Sequence, residues 1–490
     1  MTDMLRRYTS CAIIALLLTS CASVPQELPQ VVQLGDQSLG LGTGAPAIDA
    51  AWWKAYSDPQ LDELIEMGLG GNPSLAGAQA RVRRAQAQIE AEHAGLLPHL
   101  SGSGQLSRAR IGDKLLPPPL GGTDTDIGIA VASLSWDLDL FGRQQAMVQQ
   151  AGASADAAAL DAAAARLALC VSITQTYIHL AQAEQLIRVA DGFVQTRQKA
   201  LGFAQSRVRN QLGSQFDLKQ AETLLAQAQQ ARTQAERQRD TLIHALAALV
   251  GRGADFYSEI ATVTLRLDQA PSVPDVLPAD LLGRRPDLLA GQARIDAAIH
   301  GRKAARAAFL PNLSISALAG LTAGGLSNFF TGGAFTYSLG PAVSLPIFEG
   351  GKLRAQFEGA TADLDAAVAD YDGAVLDAVR EASDAITNVR SSDQDLTEQT
   401  RVVQGLRDTV RLDQVRVRTG LGSQLDTIDS GFRLLQAEQQ LVDMQTDRLN
   451  RRVQLVAALG GGFAPSTLST SDLNASAGTT PVAARPEQAQ

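Results

Sequence analysis

The 490-residue sequence says nearly the same thing twice, and that duplication limits the folds open to it. Asn72-Pro73-Ser74-Leu75 returns as Arg285-Pro286-Asp287-Leu288, and Leu97-Pro98-His99-Leu100 returns as Leu310-Pro311-Asn312-Leu313. Ala80-Arg81-Val82 returns as Ala293-Arg294-Ile295, and all three pairs share an offset of 213 positions (72 to 285). Further on, Leu212-Gly213-Ser214-Gln215 returns as Leu421-Gly422-Ser423-Gln424, and Arg207-Val208-Arg209 as Arg416-Val417-Arg418, at an offset of 209 (207 to 416). Repeats of this length are whole structural modules rather than solenoid units. The chain is therefore expected to build one elongated body from two near-equivalent copies, about 59–251 and 284–460.

Each copy reads as helix, β segment, loop, β segment, long helix, turn, helix. Pro73 and Pro286 sit at the first position of a helix, where a missing N–H costs nothing, and Pro98 and Pro311 end those helices. The β segments fall near 100–140 and 312–347. In the second copy Leu313, Ile315, Ala317, Ala319 and Leu321 alternate with Ser, Leu and Gly, and Phe335, Tyr337 and Leu339 with Thr336, Ser338 and Gly340. In the first copy Ile127, Ile129 and Val131 alternate with small residues, and then Leu134, Trp136, Leu138 and Leu140 take the other parity. Segments of about 10 residues, apolar on one side and small or polar on the other, are the pattern of transmembrane strands, although a soluble β-sandwich carries a similar alternation. Four strands cannot close a membrane barrel, and an open edge in lipid leaves unpaired backbone groups, so such a chain must oligomerise. Beyond the β segments, Gly142 to Gln211 and Gly350 to Thr419 each predict a helix of about 105 Å at 1.5 Å per residue. Two shorter helices, Gln215 to Val250 and Pro286 to Phe309, are expected to stack end to end as the return path. The Gly-, Pro- and Asp-rich stretch 251–283 between them falls midway along a tube wall or, alternatively, a coiled-coil spacer.

The ends read differently from the body. Arg6 and Arg7 precede a short apolar run, Cys11 to Leu18, too short to span a bilayer. Leu18-Thr19-Ser20-Cys21 then matches a bacterial lipobox, which makes 1–20 a signal peptide and Cys21 a lipidated N-terminus; Ala22 after it favours outer-membrane sorting. Acyl chains contribute about 0.8 kcal/mol per buried methylene, so such an anchor holds without a spanning helix. Without residues 1–20 the chain keeps 40 of its 42 basic and 50 of its 51 acidic residues, a balance that argues against nucleic acid as a partner. Cys170 is then the only other cysteine and reads as a packed hydrophobe. Residues 463–490 lack periodic hydrophobicity and read as a disordered tail.

In combination these strings resemble the TolC family of outer-membrane channels, in particular its lipidated OprM/NodT-like branch. The residues that carry the resemblance are Cys21, Trp52-Trp53, Asp58-Pro59-Gln60-Leu61 and Asn72-Pro73-Ser74-Leu75. With them go Leu97-Pro98, Trp136-Asp137-Leu138-Asp139-Leu140-Phe141-Gly142, Arg284-Arg285-Pro286-Asp287 and Leu310-Pro311. The resemblance covers about 21–462. It implies a mainly α homotrimer in which four strands per protomer form a twelve-stranded β-barrel continued by a long α-helical barrel. The stretch 251–283 and the region after Gly460 would form its equatorial belt. It further implies a passive exit duct docked to a periplasmic adaptor and an inner-membrane pump, commonly of the RND type. The family's adaptor-docking tips map onto Gly420, Leu421, Gly422 and Ser423 and onto Leu212, Gly213 and Ser214, although Gln211 stands where copy two has Gly420. Asp426 and Asp429, three apart on one helix face, match the aspartate pair that rings the periplasmic constriction. Such rings favour cations. Helix N-terminal acids favoured by the helix dipole are the plainer account, and the one given to Asp217. The residues that help lock the closed mouth in some members correspond to Val417 and Gly422, so that lock is missing.

No catalytic constellation, phosphate-binding loop or metal-ligand spacing is apparent: the five histidines are scattered, and helix capping explains Asp137 and Asp139. The expectation is a channel without enzymatic activity or cofactor other than the covalent lipid on Cys21, held in outer-membrane lipid. A duct for type I secretion and a non-conducting periplasmic scaffold are the alternatives.

Overall fold

The structure, a computed structural model, describes residues 28–33, 48–110, 114, 122, 124–272 and 281–463. Cys21, residues 464–490 and most of the loop between the first two strands lie outside them. The elements run α1 (Pro59–Gly71), α2 (Pro73–Ala94), β1 (His99–Arg110), β2 (Asp124–Asp137), α3 (Arg143–Arg209) and α4 (Gln215–Leu249). They continue with α5 (Pro286–Ala307), β3 (Asn312–Gly324), β4 (Phe335–Ser344), α6 (Lys352–Arg418) and α7 (Gln424–Ala458). The long helices have 67 residues each and the last helix of each copy 35, so the duplication holds to the residue. α2 stops at Ala94 rather than Leu97, because Gly95, Leu96 and Leu97 donate to carbonyls three residues back and tighten the last turn before Pro98. Likewise β2 ends at Asp137 and β4 at Ser344, leaving Leu138, Leu140, Leu345 and Ile347 outside the strands. Pro346, which lacks a donor, lies between the last two.

The chain divides into two compact units that cut across both copies. The first comprises 1–33, 81–158 and 290–372. It holds one antiparallel sheet in the order β1-β2-β3-β4, with β1 and β4 as unpaired edges. Pro341 is tolerated in β4 because an edge strand keeps one side free of ladder bonds. The helical segments follow the same order as the strands. Gln144 of α3 donates to the Glu92 carbonyl of α2 (2.6 Å), Gln150 of α3 lies against Gly301 of α5, and Arg302 of α5 lies over the Phe357 ring of α6 and donates to Thr361 (3.0 Å). α2 and α6 are therefore outermost. The Asp365 carboxylate of α6 accepts the backbone N–H groups of Gln30 and Val31, which ties the N-terminal segment to this unit.

The second unit comprises 34–80, 159–289 and 373–490. Leu61, Leu64, Ile65 and Gly68 recur at helical spacing on α1 and bury that face against Ile173, Tyr177, Leu246 and Phe256. Each fully buried aliphatic contributes about 1.5–3 kcal/mol. At the head of α1, buried Asp58 accepts the Gln60 and Leu61 N–H groups, the Tyr177 hydroxyl (2.9 Å) and the Thr264 hydroxyl (3.0 Å). That carboxylate ties three segments together and accounts for the Asp58-Pro59 string. Burial of the ring, with Asp58 beside it, pushes the Tyr177 hydroxyl pKa upward, so it stays a donor.

The return path differs from the one expected. α4 does not meet α5; its C-terminus meets the N-terminus of α2, and the C-terminus of α7 meets that of α5. Asn72 Nδ2 donates to the Leu249 carbonyl (2.8 Å), and at the equivalent positions of copy two Arg285 Nη1 donates to the Ala458 carbonyl (3.3 Å). Gly251 (φ +77°) packs on Gly71, and Gly460 (φ +91°) on Arg284; a Cβ at either glycine would overlap the facing carbonyl oxygen. Both helices end in a Schellman motif: Gly251 and Arg252 donate to Ala248 and Ala247, and Gly460 and Gly461 to Ala457 and Val456. Each copy thus closes on itself. The orphan carbonyls at one helix end are met by a side chain from the start of the same copy, a partnership that sequence adjacency does not suggest.

Candidate functional site

The two helical turns at the ends of α3 and α6 are built alike. After α3, Gln211 donates to Val208 (3.1 Å) and Leu212 to Arg207 (2.8 Å); after α6, Gly420 donates to Val417 (3.2 Å) and Leu421 to Arg416 (2.8 Å). Again the pairs of bonds make Schellman motifs. The residue that must turn left-handed is Gly420 (φ +73°) in copy two but Gln211 (φ +59°) in copy one. A side chain there costs about 1–2 kcal/mol. Gly213 and Gly422 are tightly placed, since a Cβ would sit 3.0 Å from the Arg207 or Arg416 Cβ and the turn would have to give by a few tenths of an ångström. Ser214 and Ser423 then cap the next helices, each within a reciprocal capping box whose acid is Asp217 or Asp426. At the crest Leu212 and Leu421 stand 71% and 74% exposed, with Phe216 beside the first at 74%. Large apolar side chains held outward by a rigid backbone are what a protein contact uses.

Asp426 and Asp429 differ in their engagements. The Asp426 carboxylate accepts the Ser423 N–H (3.0 Å), the same bond that Asp217 makes to Ser214 (3.1 Å). For Asp217, these bonds from Ser214 lower the pKa below the ordinary 3.8. Asp429 has no capping duty; it pairs with Arg433 at 2.8 Å, both side chains well exposed. Behind it Arg197 of α3 lies 4.1 Å over the Phe432 ring, which Phe193 meets edge-on, and burial lowers the Arg197 pKa against the raising effect of Asp429. Sequence reading missed this Arg197–Phe432–Phe193 packing, since α3 and α7 residues far apart in the chain supply it.

In the first unit the sheet has two unlike faces. The register places Leu100, Leu106, Leu134, Trp136, Leu313, Ile315, Leu321, Phe335, Tyr337, Leu339 and Val343 on one side. Ser101, Ser103, Gln105, Ser133, Ser135, Ser314, Ser316, Thr322, Thr336 and Ser338 take the other. Ile127, Ile129, Val131 and Leu318 correct the simple alternation: the unbroken register puts them on the polar side, because β2 changes which parity is apolar without a bulge. Tyr337 and Leu339 are each 75% exposed, so nothing among the described residues covers that part of the apolar side. Such a face is stable in lipid and not in water. Trp136 anchors its end through Nε1–H to the Leu96 carbonyl (2.9 Å).

Among the described residues no group of His, Cys, Asp or Glu is arranged to hold a metal ion. Cys170 is buried, and burial pushes its thiol up to about 11, which suits packing rather than reactivity.

The outer membrane efflux protein model matches residues 64–252 and 277–461, one stretch per copy. The chain is 35% identical to the fusaric acid resistance protein FusA of Burkholderia cepacia, over 71% of this chain and 68% of that protein. It is 30% identical to the multidrug resistance outer membrane protein MdtP of Escherichia coli K12, over 94% of this chain and 97% of that one. The crystal structure of the outer membrane protein VceC from Vibrio cholerae superposes with a TM-score of 0.77 at 29% identity, covering 85% of this chain and all of VceC. With its module repeated twice, its sheet apolar on one exposed face and its two long helices, the chain belongs to the outer membrane efflux protein family, a family of outer-membrane channels.

Proposed function

We propose that three copies of this chain close into a twelve-stranded barrel and serve as the exit duct of a tripartite efflux system. The observation that carries this is the four-stranded sheet with one exposed apolar face and two unpaired edges. In lipid each unpaired backbone group costs several kcal/mol, so β1 of one copy must pair with β4 of the next. The duct is passive: it supplies a wall, and the energy comes from an inner-membrane pump, of the RND type, through a periplasmic adaptor. Efflux is favoured over protein secretion by the relatives, among them one named as a multidrug resistance outer membrane protein. Lipidation at Cys21 would add a second hold on the membrane. Purified protein should conduct ions across planar bilayers, and an ion-tight preparation that is nonetheless folded and membrane-inserted would leave only the scaffold reading.

The exposed crests at Leu212 and Leu421, with Gly213, Ser214, Gly420, Gly422 and Ser423 shaping the turns, are the adaptor-docking tips. Of the two gate acids, Asp429 supports the reading better than Asp426, because Asp426 is engaged in capping α7. Asp429→Ala should weaken block of the conductance by multivalent cations. Asp426→Ala should instead loosen the turn. Equal loss of block in both variants would return the gate to the pair.

A further inference from the structure

An open cleft of about 520 Å³ runs between α2 and α3 in the first unit, a volume within the range of small-molecule sites. Arg81, Arg84, Gln88 and Glu92 follow one another at steps of three, four and four, so they form one stripe along α2, and all four line the cleft. Arg83 is turned away from that stripe and does not line it. Ala85 of α2 and Met147 of α3 give the cleft an apolar wall.

The charges along the stripe are not matched within the chain. Glu92, its acid, is taken up by neutral amides: Gln88 Nε2 donates to one carboxylate oxygen (2.8 Å) and Gln144 Nε2 to the other (3.3 Å). Arg81 and Arg84 are exposed, and neither has a hydrogen-bond or ion-pair partner among the described residues. Two like charges one helical turn apart repel. An anion between them offsets that repulsion and forms charge-assisted hydrogen bonds with both guanidiniums. Position along the helix narrows the kind of anion. Arg84 and Arg81 lie ten and thirteen residues before the end of α2 at Ala94, about 15 and 20 Å from the sheet-side end at 1.5 Å per residue. With the sheet in lipid, that distance carries both beyond the headgroups. A cationic end beside an apolar wall then suits a soluble molecule with the same two parts.

We propose that this cleft binds a small amphipathic organic acid, its carboxylate held between Arg81 and Arg84 and its apolar body along Met147 and Ala85. Such binding requires neither conduction nor an inner-membrane pump.

The test is isothermal titration calorimetry on the full-length protein in phosphatidylcholine nanodiscs, with naphthoate, naphthylmethanol and naphthylmethylamine as probes of one shape and different charge. Naphthoate should bind about tenfold or more tightly than the alcohol, and the amine more weakly than either. Arg81→Gln and Arg84→Gln should each weaken naphthoate about tenfold, and the double variant should bind it no better than the alcohol. Arg84→Lys should keep part of the preference, and Arg83→Gln all of it. Affinity for naphthoate should fall as salt rises. These exposed substitutions should leave thermal melting unchanged, which separates loss of a ligand contact from loss of the fold. No naphthoate binding at millimolar concentration, equal affinity for acid and alcohol, or full affinity in the double variant overturns the site. So does loss of naphthoate binding when phosphatidylglycerol replaces phosphatidylcholine, since the arginines would then belong to a lipid headgroup. A protein that conducts but fails these titrations loses the acid site and keeps the duct; one that binds naphthoate but does not conduct keeps the site and loses the duct.

Discussion

Two glycines with positive φ give a paired experiment on what closes the second copy. Gly420 (φ +73°) has open space where a Cβ would stand, whereas at Gly460 (φ +91°) a Cβ would overlap the Arg284 carbonyl. Alanine at Gly420 therefore incurs only the left-handed cost, about 1–2 kcal/mol. Alanine at Gly460 incurs that cost and must also push apart the ends of α7 and α5. Overpacking of this kind adds about 1–3 kcal/mol, for a total of about 2–5 kcal/mol. At a factor of ten per 1.4 kcal/mol, the joint should open about 30- to 4,000-fold more often. Hydrogen exchange read by peptide mass spectrometry reports this locally. The Gly460 and Gly461 amides, bonded to Ala457 and Val456, should lose protection in Gly460→Ala. The matching amides of copy one, at Gly251 and Arg252, should not change. Gly420→Ala should accelerate only its own turn, and by about a factor of ten. Equal acceleration in the two variants would mean that backbone conformation alone sets both positions, and the end-to-end joint would lose its support.

Four other perturbations separate neighbouring terms. Arg285 binds Asp287 and Glu381 as well as the Ala458 carbonyl, so exchange at the copy-two joint should rise in molar salt in the wild type and become salt-independent in Arg285→Ala. Asn72 is uncharged and also caps α2 through Ser74 and Leu75; Asn72→Ala should cost copy one about 1–2 kcal/mol at any salt concentration, by the same exchange measurement. The Asp217 pKa is lowered by its bonds to Ser214, so its contribution is complete above the unfolded carboxylate pKa and disappears as pH falls through the folded one. Exchange at the start of α4 should therefore quicken below the ordinary carboxylate range, and Asp217→Asn should remove that pH dependence. Trp136→Phe forfeits the bond to Leu96 and should lower thermal stability by about 1 kcal/mol, with no change if water replaces the indole donor.

What the sequence announced and what it concealed divide along a physical line. Local signals were sufficient for the helix starts and the long helices: Pro73, Pro286 and the glycines at 142 and 351 act within one turn of themselves, and the long helices begin and end within two residues of their expected limits, whereas α2, β2 and β4 end three residues early. The tips were legible for the same reason, since a Schellman turn followed by a capping box is written in consecutive residues. The faces of β2 were not, because parity along one strand says nothing about which side its partners present; the register with β1 and β3 decides that Ile127, Ile129 and Val131 leave the apolar side. Gln211 was read as a departure from the glycine at 420, yet the backbone turns left-handed there all the same, and the surrounding bonds impose the conformation.

The joints mark the limit of reading by adjacency. α4 is followed in the chain by α5, but the carbonyls left free at the end of α4 are met by Asn72, 177 residues upstream, and those of α7 by Arg285, 173 residues upstream. The repeat offsets held this information: 72 and 285 are equivalent, and so are 249 and 458, so one joint predicts the other. They could not show how each joint is held, by a neutral amide in copy one and by a guanidinium with two carboxylates in copy two. An amide bond of this kind is indifferent to ionic strength, whereas the half-exposed ion pairs around Arg285 are screened by salt. The two hairpins therefore share a backbone design and differ in what loosens it. If the second hairpin moves when the duct opens, its ion-paired joint is the place where a change in the surrounding charge can act without disturbing the first.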